Sequence, residues 1–101
     1  MPVQVDPEGN ELQALLRYSG SLEGKRVLEI GCGDGRLTWR YAGRAAQVDG
    51  IDPNQERILK AKENLPQELA SKVSFFPLGL EDFAEEDPNR SYDLILLSWS
   101  L

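Results

Sequence analysis

Ten residues, Val27-Leu28-Glu29-Ile30-Gly31-Cys32-Gly33-Asp34-Gly35-Arg36, constrain this chain more than any other stretch. A short apolar run carrying one carboxylate leads into a loop with glycine at every second position. Leu37-Thr38-Trp39-Arg40-Tyr41-Ala42 follows with the spacing of a helix. An apolar run of this length suits a parallel strand covered on both faces. Glycines at its end allow a tight turn and a close approach of backbone N–H groups to a ligand. Strand, glycine loop and helix in that order build a nucleotide-type site at the carboxyl end of a sheet strand.

The glycine spacing narrows the ligand. A dinucleotide loop reads G-x-G-x-x-G, its third glycine allowing close helix–strand packing. Gly31 and Gly33 fit that pattern, but Arg36 stands at the third position and argues against a nicotinamide-dependent oxidoreductase. With Glu29 the motif becomes E-x-G-x-G-x-G, ending at Gly35. It resembles the first motif of the class I S-adenosylmethionine (SAM) dependent methyltransferases. The resemblance implies SAM as cofactor, with Glu29 and the loop of Gly31, Cys32, Gly33 and Gly35 holding its methionine part.

The remaining chain alternates strands and helices. Residues 1–9, with Pro2, Pro7 and Gly9, read as a loose lead-in to a domain over 10–101. Asn10 can cap a helix over about 11–18 with Leu12, Leu15 and Leu16 on one face. Strand one is expected over about 26–30. The next helix carries Leu37, Tyr41 and Ala45 at i, i+4 and i+8. Gln47 to Asp52 reads as strand two, and Asn54 caps a helix over about 55–65 that Pro66 stops. Val73 to Pro77 is strand three, Glu85 to Ser91 an acidic loop, and Tyr92 to Trp99 strand four. The expected fold is α/β, a partial Rossmann-like doubly wound parallel sheet of about four strands with flanking helices.

Asp52 closes strand two about 20 residues beyond the loop, where an acid can accept hydrogen bonds from ribose hydroxyls. The resemblance gives Asp52 the same role and lays Pro53 against the adenine. The competing reading makes Asp52 a helix-start aspartate that assists Asn54 against the helix dipole. Asp49 reads as an exposed charge. In Phe76-Pro77-Leu78-Gly79-Leu80-Glu81-Asp82-Phe83, the family's usual adenine-binding aspartate falls on Gly79. The backbone N–H of Leu80, or the carboxylate of Glu81 or Asp82, could take over that contact. The resemblance also places the end of strand four, at Ser98, beside the transferred methyl group. Trp99 reads as core rather than acceptor pocket, and Trp39 and Tyr41 as packing. Cys32 has no histidine in the chain to act as its base, so it reads as a small loop residue rather than a nucleophile.

Composition sets the remaining limits. The chain has 101 residues, one cysteine and no histidine, which excludes a disulfide framework and any histidine-based metal site. No metal is implied. The net charge of -6 argues against a nucleic-acid partner, since phosphate binding needs clustered Lys and Arg. Ser98-Trp99-Ser100-Leu101 stands where many amino-group nucleic-acid methyltransferases carry Asn-Pro-Pro-aromatic, which favours a small-molecule acceptor. No apolar stretch approaches the ~20 residues of a membrane helix, no signal peptide is evident, and the cytoplasm is the default location.

A complete doubly wound sheet needs on the order of 180 residues, at ~30 per βαβ unit. The resemblance therefore covers only the cofactor half, and a truncated methyltransferase domain is expected, without robust activity as a monomer. The Leu94-Ile95-Leu96-Leu97 strand would be an open apolar edge, able to pair with a second copy as a homo-oligomer. A non-catalytic SAM-binding or dimer-forming module is the alternative.

Overall fold

The computed structural model describes residues 3–6 and 22–98. Its core is a five-stranded sheet made from β1 (Val3–Asp6), β2 (Arg26–Ile30), β3 (Gln47–Ile51), β4 (Val73–Phe76) and β5 (Leu94–Ser98). The spatial order is β1-β5-β2-β3-β4, and every neighbouring pair is parallel. Among the described residues three α-helices accompany it: α1 (Thr38–Tyr41), α2 (Gln55–Asn64) and α3 (Leu80–Glu86). This is the expected Rossmann-like α/β architecture. The helix anticipated over 11–18 and Trp99 lie outside the described residues.

Strand alternation divides the core into two layers. Val27, Val48, Val73, Phe75, Leu94 and Leu96 face one way and pack with Ile58 and Ala61 of α2 and Tyr41 of α1. Leu28, Ile51 and Ile95 face the other way, against Phe83 of α3. Each buried aliphatic side chain contributes about 1.5–3 kcal/mol relative to exposure. A sheet clad on both faces explains why β2 and β5 are apolar at consecutive positions instead of alternating.

Four differences from the sequence reading have physical causes. The lead-in over 1–9 contains β1, which runs alongside β5 from Val3↔Ile95 to Asp6↔Ser98. The edge of β5 expected to be open to a second copy is therefore paired, and self-association through that edge no longer follows. The helix after the glycine loop ends at Tyr41 instead of running through Ala45. A 3-10 turn over Ala42–Arg44 replaces it, and Ala45 is extended. Lys72 holds that turn by donating its ammonium to the carbonyls of Gly43 at 3.1 Å and Ala45 at 3.0 Å. Glu85 and Glu86 belong to α3 and not to the loop that follows.

Asp49 is the fourth difference. It is buried, because Tyr92 donates its hydroxyl to Asp49 Oδ2 at 2.6 Å across the α3 face of the sheet. A buried carboxylate is tolerated when such a donor satisfies it. Burial, and then that hydrogen bond, push the Tyr92 phenol well above its ordinary range. The α2 helix begins as expected: the Asn54 side chain accepts the Arg57 N–H at 3.1 Å.

Candidate glycine-loop site

The carboxyl ends of β2, β3 and β5 meet at the glycine loop. Gly31, Gly33 and Gly35 have φ of +81°, +58° and +91°, a region that L side chains adopt only under strain. Gly31 has a second reason to be glycine. A Cβ there would stand 2.2 Å from the carbonyl oxygen of Ser98, so the ends of β2 and β5 approach backbone to backbone. At Gly35 the indole of Trp39 lies where a Cβ would go, at 2.6 Å. Trp39 itself packs edge-on against Phe75, 5.6 Å between centroids. Sequence reasoning passed over Gly50, inside β3. There a Cβ would meet the Phe75 ring at 2.9 Å and the Cys32 sulfur at 3.0 Å. A glycine within a strand pattern is the signal for such close approach.

Asp52 is the hub of the loop. Its Oδ2 accepts the Gly33 N–H at 3.0 Å and its Oδ1 accepts the Asn54 N–H at 2.9 Å. The carbonyl of Ile51 accepts the N–H groups of Gly31 at 2.8 Å and Cys32 at 3.2 Å. One strand end thus fixes three successive residues of the loop. A carboxylate offers about four lone-pair sites, and the two backbone donors use two of them. The rest suit a pair of neighbouring hydroxyls, which is how these residues fit the ribose of the implied cofactor. Asp52 as a residue is 8% exposed, so such contacts would be largely shielded from water.

The other expected site residues are spread around this hub. Pro53 is exposed beside Asp52. Leu80, the first residue of α3, is 48% exposed, an unusual state for a large apolar residue next to a loop site. The ends of β3 and β4 are joined by the Asp52 N–H donating to Phe76 O at 3.2 Å, which puts the α3 start on the same rim. Glu81 and Asp82 are exposed in the first turn of α3, where the helix dipole favours acids. Gly79 caps that helix in extended conformation, with open space where a side chain would be. Ser98 is buried at the end of β5. Arg36 is highly exposed and forms only a surface contact, 3.3 Å to Asp34, worth little in water.

Two buried groups complete the surroundings. Glu29 is fully buried on the face carrying α1 and α2, and its Oε1 receives the hydroxyls of Thr38 at 2.7 Å and Tyr41 at 2.6 Å. The Cys32 thiol is buried and points back to the Gly33 carbonyl at 3.8 Å. Burial, with the charges of Glu29, Asp52 and Asp34 adding to it, pushes this thiol far above its ordinary range. It stays protonated in the neutral range. Among the described residues, no group of three or more His, Cys, Asp or Glu is arranged to hold a metal ion. No helix among them is long and apolar enough to cross a membrane.

Comparison with known proteins places these features in context. Residues 28–101 match a family model described as a methyltransferase domain. The chain is 42% identical over 90 residues to a tRNA U34 carboxymethyltransferase of Pseudomonas aeruginosa, covering 83% of this chain and 27% of that protein. It is 42% identical over 77 residues to a ubiquinone biosynthesis O-methyltransferase of Bordetella parapertussis, covering 76% and 31%. The chain thus spans about a third or less of the curated relatives it matches. In structure it is similar to a putative RNA methyltransferase from Pyrococcus horikoshii, with TM-score 0.70 and 27% identity, covering 88% of this chain and 43% of that one. It is also similar to a SAM-bound magnesium protoporphyrin IX methyltransferase from Synechocystis, with TM-score 0.66 and 25% identity, covering 88% and 41%.

Proposed function

Because the chain belongs to the class I SAM-dependent methyltransferase family, we propose that its glycine loop binds SAM for methyl transfer to a small-molecule acceptor. The observation that carries this reading is the Asp52 carboxylate, tied to the loop at Gly33 and left with lone pairs for a ribose diol. In this assignment Gly31, Cys32, Gly33 and Gly35 line the methionine part, and Pro53 and Leu80 border the adenine. Either the Glu81 carboxylate accepts from its amino group or the backbone N–H of Leu80 donates to a ring nitrogen, and Ser98 lies toward the methyl.

Bound SAM supplies an activated sulfonium methyl group, open to in-line displacement by a nucleophile. The chain's contribution is orientation. The Ile51 and Asp52 acceptors fix the loop before a ligand arrives, so little ordering remains to be done on binding. Around the loop, Asp52 accepts two backbone N–H groups, Glu29 accepts two hydroxyls on Oε1, and burial keeps the Cys32 thiol protonated.

The small-molecule acceptor is supported by the net charge of -6 and pI near 4.6, since phosphate binding needs clustered Lys and Arg. A second reading, an RNA acceptor, is favoured by the 42% identity to a tRNA-modifying enzyme. Calorimetric titration with SAM, S-adenosylhomocysteine (SAH) and NAD tests the cofactor, the expected result being SAM or SAH binding tighter than NAD. Methyl incorporation into phenolic small molecules against bulk tRNA then separates the acceptor classes. Labelling of tRNA alone would overturn the small-molecule proposal.

A further inference from the structure

The resemblance assigns Glu29 to the cofactor, but its surroundings point elsewhere. Strand alternation sends its side chain to the same face as Val27, into the layer occupied by α1 and α2, where it is fully buried. Both hydroxyls that it accepts come from α1, one from each end of that helix. A four-residue helix cannot sustain itself, since helices shorter than ~12 residues are marginal without tertiary support. The loop between β2 and α1 is therefore fixed at its start by the sheet and at its far side by whatever holds α1. Glu29 is a polar group that does so, through Thr38 and Tyr41.

We infer that Glu29 is a positioning residue for the glycine loop, anchored by Thr38 and Tyr41, rather than a ligand of the cofactor. The inference rests on the reading of the loop as a SAM site. A buried carboxylate costs several kcal/mol unless donors reach it; the hydroxyls of Thr38 and Tyr41 do so at Oε1, and they set where α1 stands over the loop. Burial and the Glu29 charge push the Tyr41 phenol well above its ordinary range, which keeps it a donor throughout the neutral range. Gly35 then closes the turn, its N–H donating to Cys32 O at 3.1 Å and its carbonyl accepting from Trp39 N–H at 3.1 Å. Loss of the Glu29 anchor loosens this second half of the loop, while the first half stays pinned to Ile51.

Amide exchange on the 101-residue chain without ligand reads the loop directly, and calorimetry with SAH and its analogue lacking the α-amino group reads the contact. Tyr41→Phe should raise exchange at Gly35 by about tenfold, the weight of one hydrogen bond to a charged group, with little change at Ile58 in α2. Glu29→Gln should weaken SAH and the des-amino analogue by the same factor, and adding Tyr41→Phe to Glu29→Gln should have little further effect. A Glu29→Gln variant that loses affinity for SAH but not for the des-amino analogue would show a direct ligand contact and overturn the inference. Unchanged Gly35 exchange in Tyr41→Phe would overturn it as well, and this reading survives if Glu29→Gln does not fold. If the wild-type chain binds neither ligand, the SAM proposal fails while the exchange result still decides the role of Glu29.

Discussion

Asp52 gives the sharpest test of the site, because structure and ligand make separable demands on one carboxylate. Asp52→Ala removes the acceptor for two backbone donors. Asn54 is exposed and its N–H can turn to water. Gly33 is buried, and leaving its N–H without a partner costs about 1–3 kcal/mol of stability. A domain of this size has on the order of 5–15 kcal/mol of stability in total, so the variant stays folded. The ligand effect comes on top. Hydrogen bonds from ribose hydroxyls to a shielded carboxylate are worth about 1.5–3 kcal/mol, which converts to a rise in Kd of roughly 10- to 150-fold. Asp52→Asn keeps the volume and one acceptor oxygen, and should fall between wild type and Asp52→Ala. Calorimetry should compare SAH with its 2′,3′-dideoxy analogue on all three proteins. If the diol is the partner, the substitutions penalise SAH and leave the dideoxy analogue nearly unaffected. Equal losses for both ligands, or an unchanged Kd in a folded variant, would refute the ribose assignment and reduce Asp52 to a brace for the loop.

Gly31→Ala should cost more than ~3 kcal/mol, since positive φ is strained for alanine and the added Cβ meets a backbone carbonyl that cannot rotate away; denaturant melts checked against Gly43→Ala, which has open space, would show it. Gly79→Asp restores the acid that the family pattern places there, on an extended N-cap with room for it; it should raise stability by a few tenths of a kcal/mol and tighten SAH binding, and unaltered binding would detach this position from the adenine. Tyr41, Tyr92 and Cys32 all have acid groups pushed upward in the folded state. The folded chain therefore holds their protons more tightly than the unfolded chain. Their contribution to stability is constant below pH ~8.5 and declines as pH rises past the unfolded thiol and phenol values of ~8.5 and ~10; denaturation midpoints that hold steady from neutral to strongly alkaline pH would contradict it.

Much of this architecture is legible in the chain because its signals are local. The apolar runs place β2, β3, β4 and β5 within a residue or two of their observed limits, and Asn54 and Pro66 bracket α2 by cap and stop chemistry that acts over a few positions. The glycine spacing likewise locates the loop, since each positive φ falls on a glycine. What was missed depends on partners distant in the chain. Asp49 reads as a surface charge until Tyr92 is brought to it by the sheet. Val3–Asp6 looks like a proline-flanked tail until β5 offers it an edge. The end of α1 is hidden in the sequence because Leu37, Tyr41 and Ala45 keep helical spacing through Gly43, where the chain tightens into a 3-10 turn. The orientation of Glu29 toward Thr38 and Tyr41 follows from strand alternation, but the motif's resemblance drew attention to the ligand instead.

The all-parallel order of the described sheet has a kinetic side. With no hairpin available, every strand pair must be reached through a crossover, so no pairing is local and folding should be slow for a chain of this size. The β2–β3 pair closes one of the shorter crossovers, and that crossover is the glycine loop with α1. Loop closure costs more entropy the longer the connection, which makes this unit a natural nucleus and β1–β5, joining the most distant strands, the last seam to close. Substitutions at the loop should then act on the folding rate, whereas those along β1 should act on the unfolding rate. The stretch that would hold the cofactor is also the stretch on which the rest of the sheet assembles, so its sequence is constrained by folding before any ligand is present.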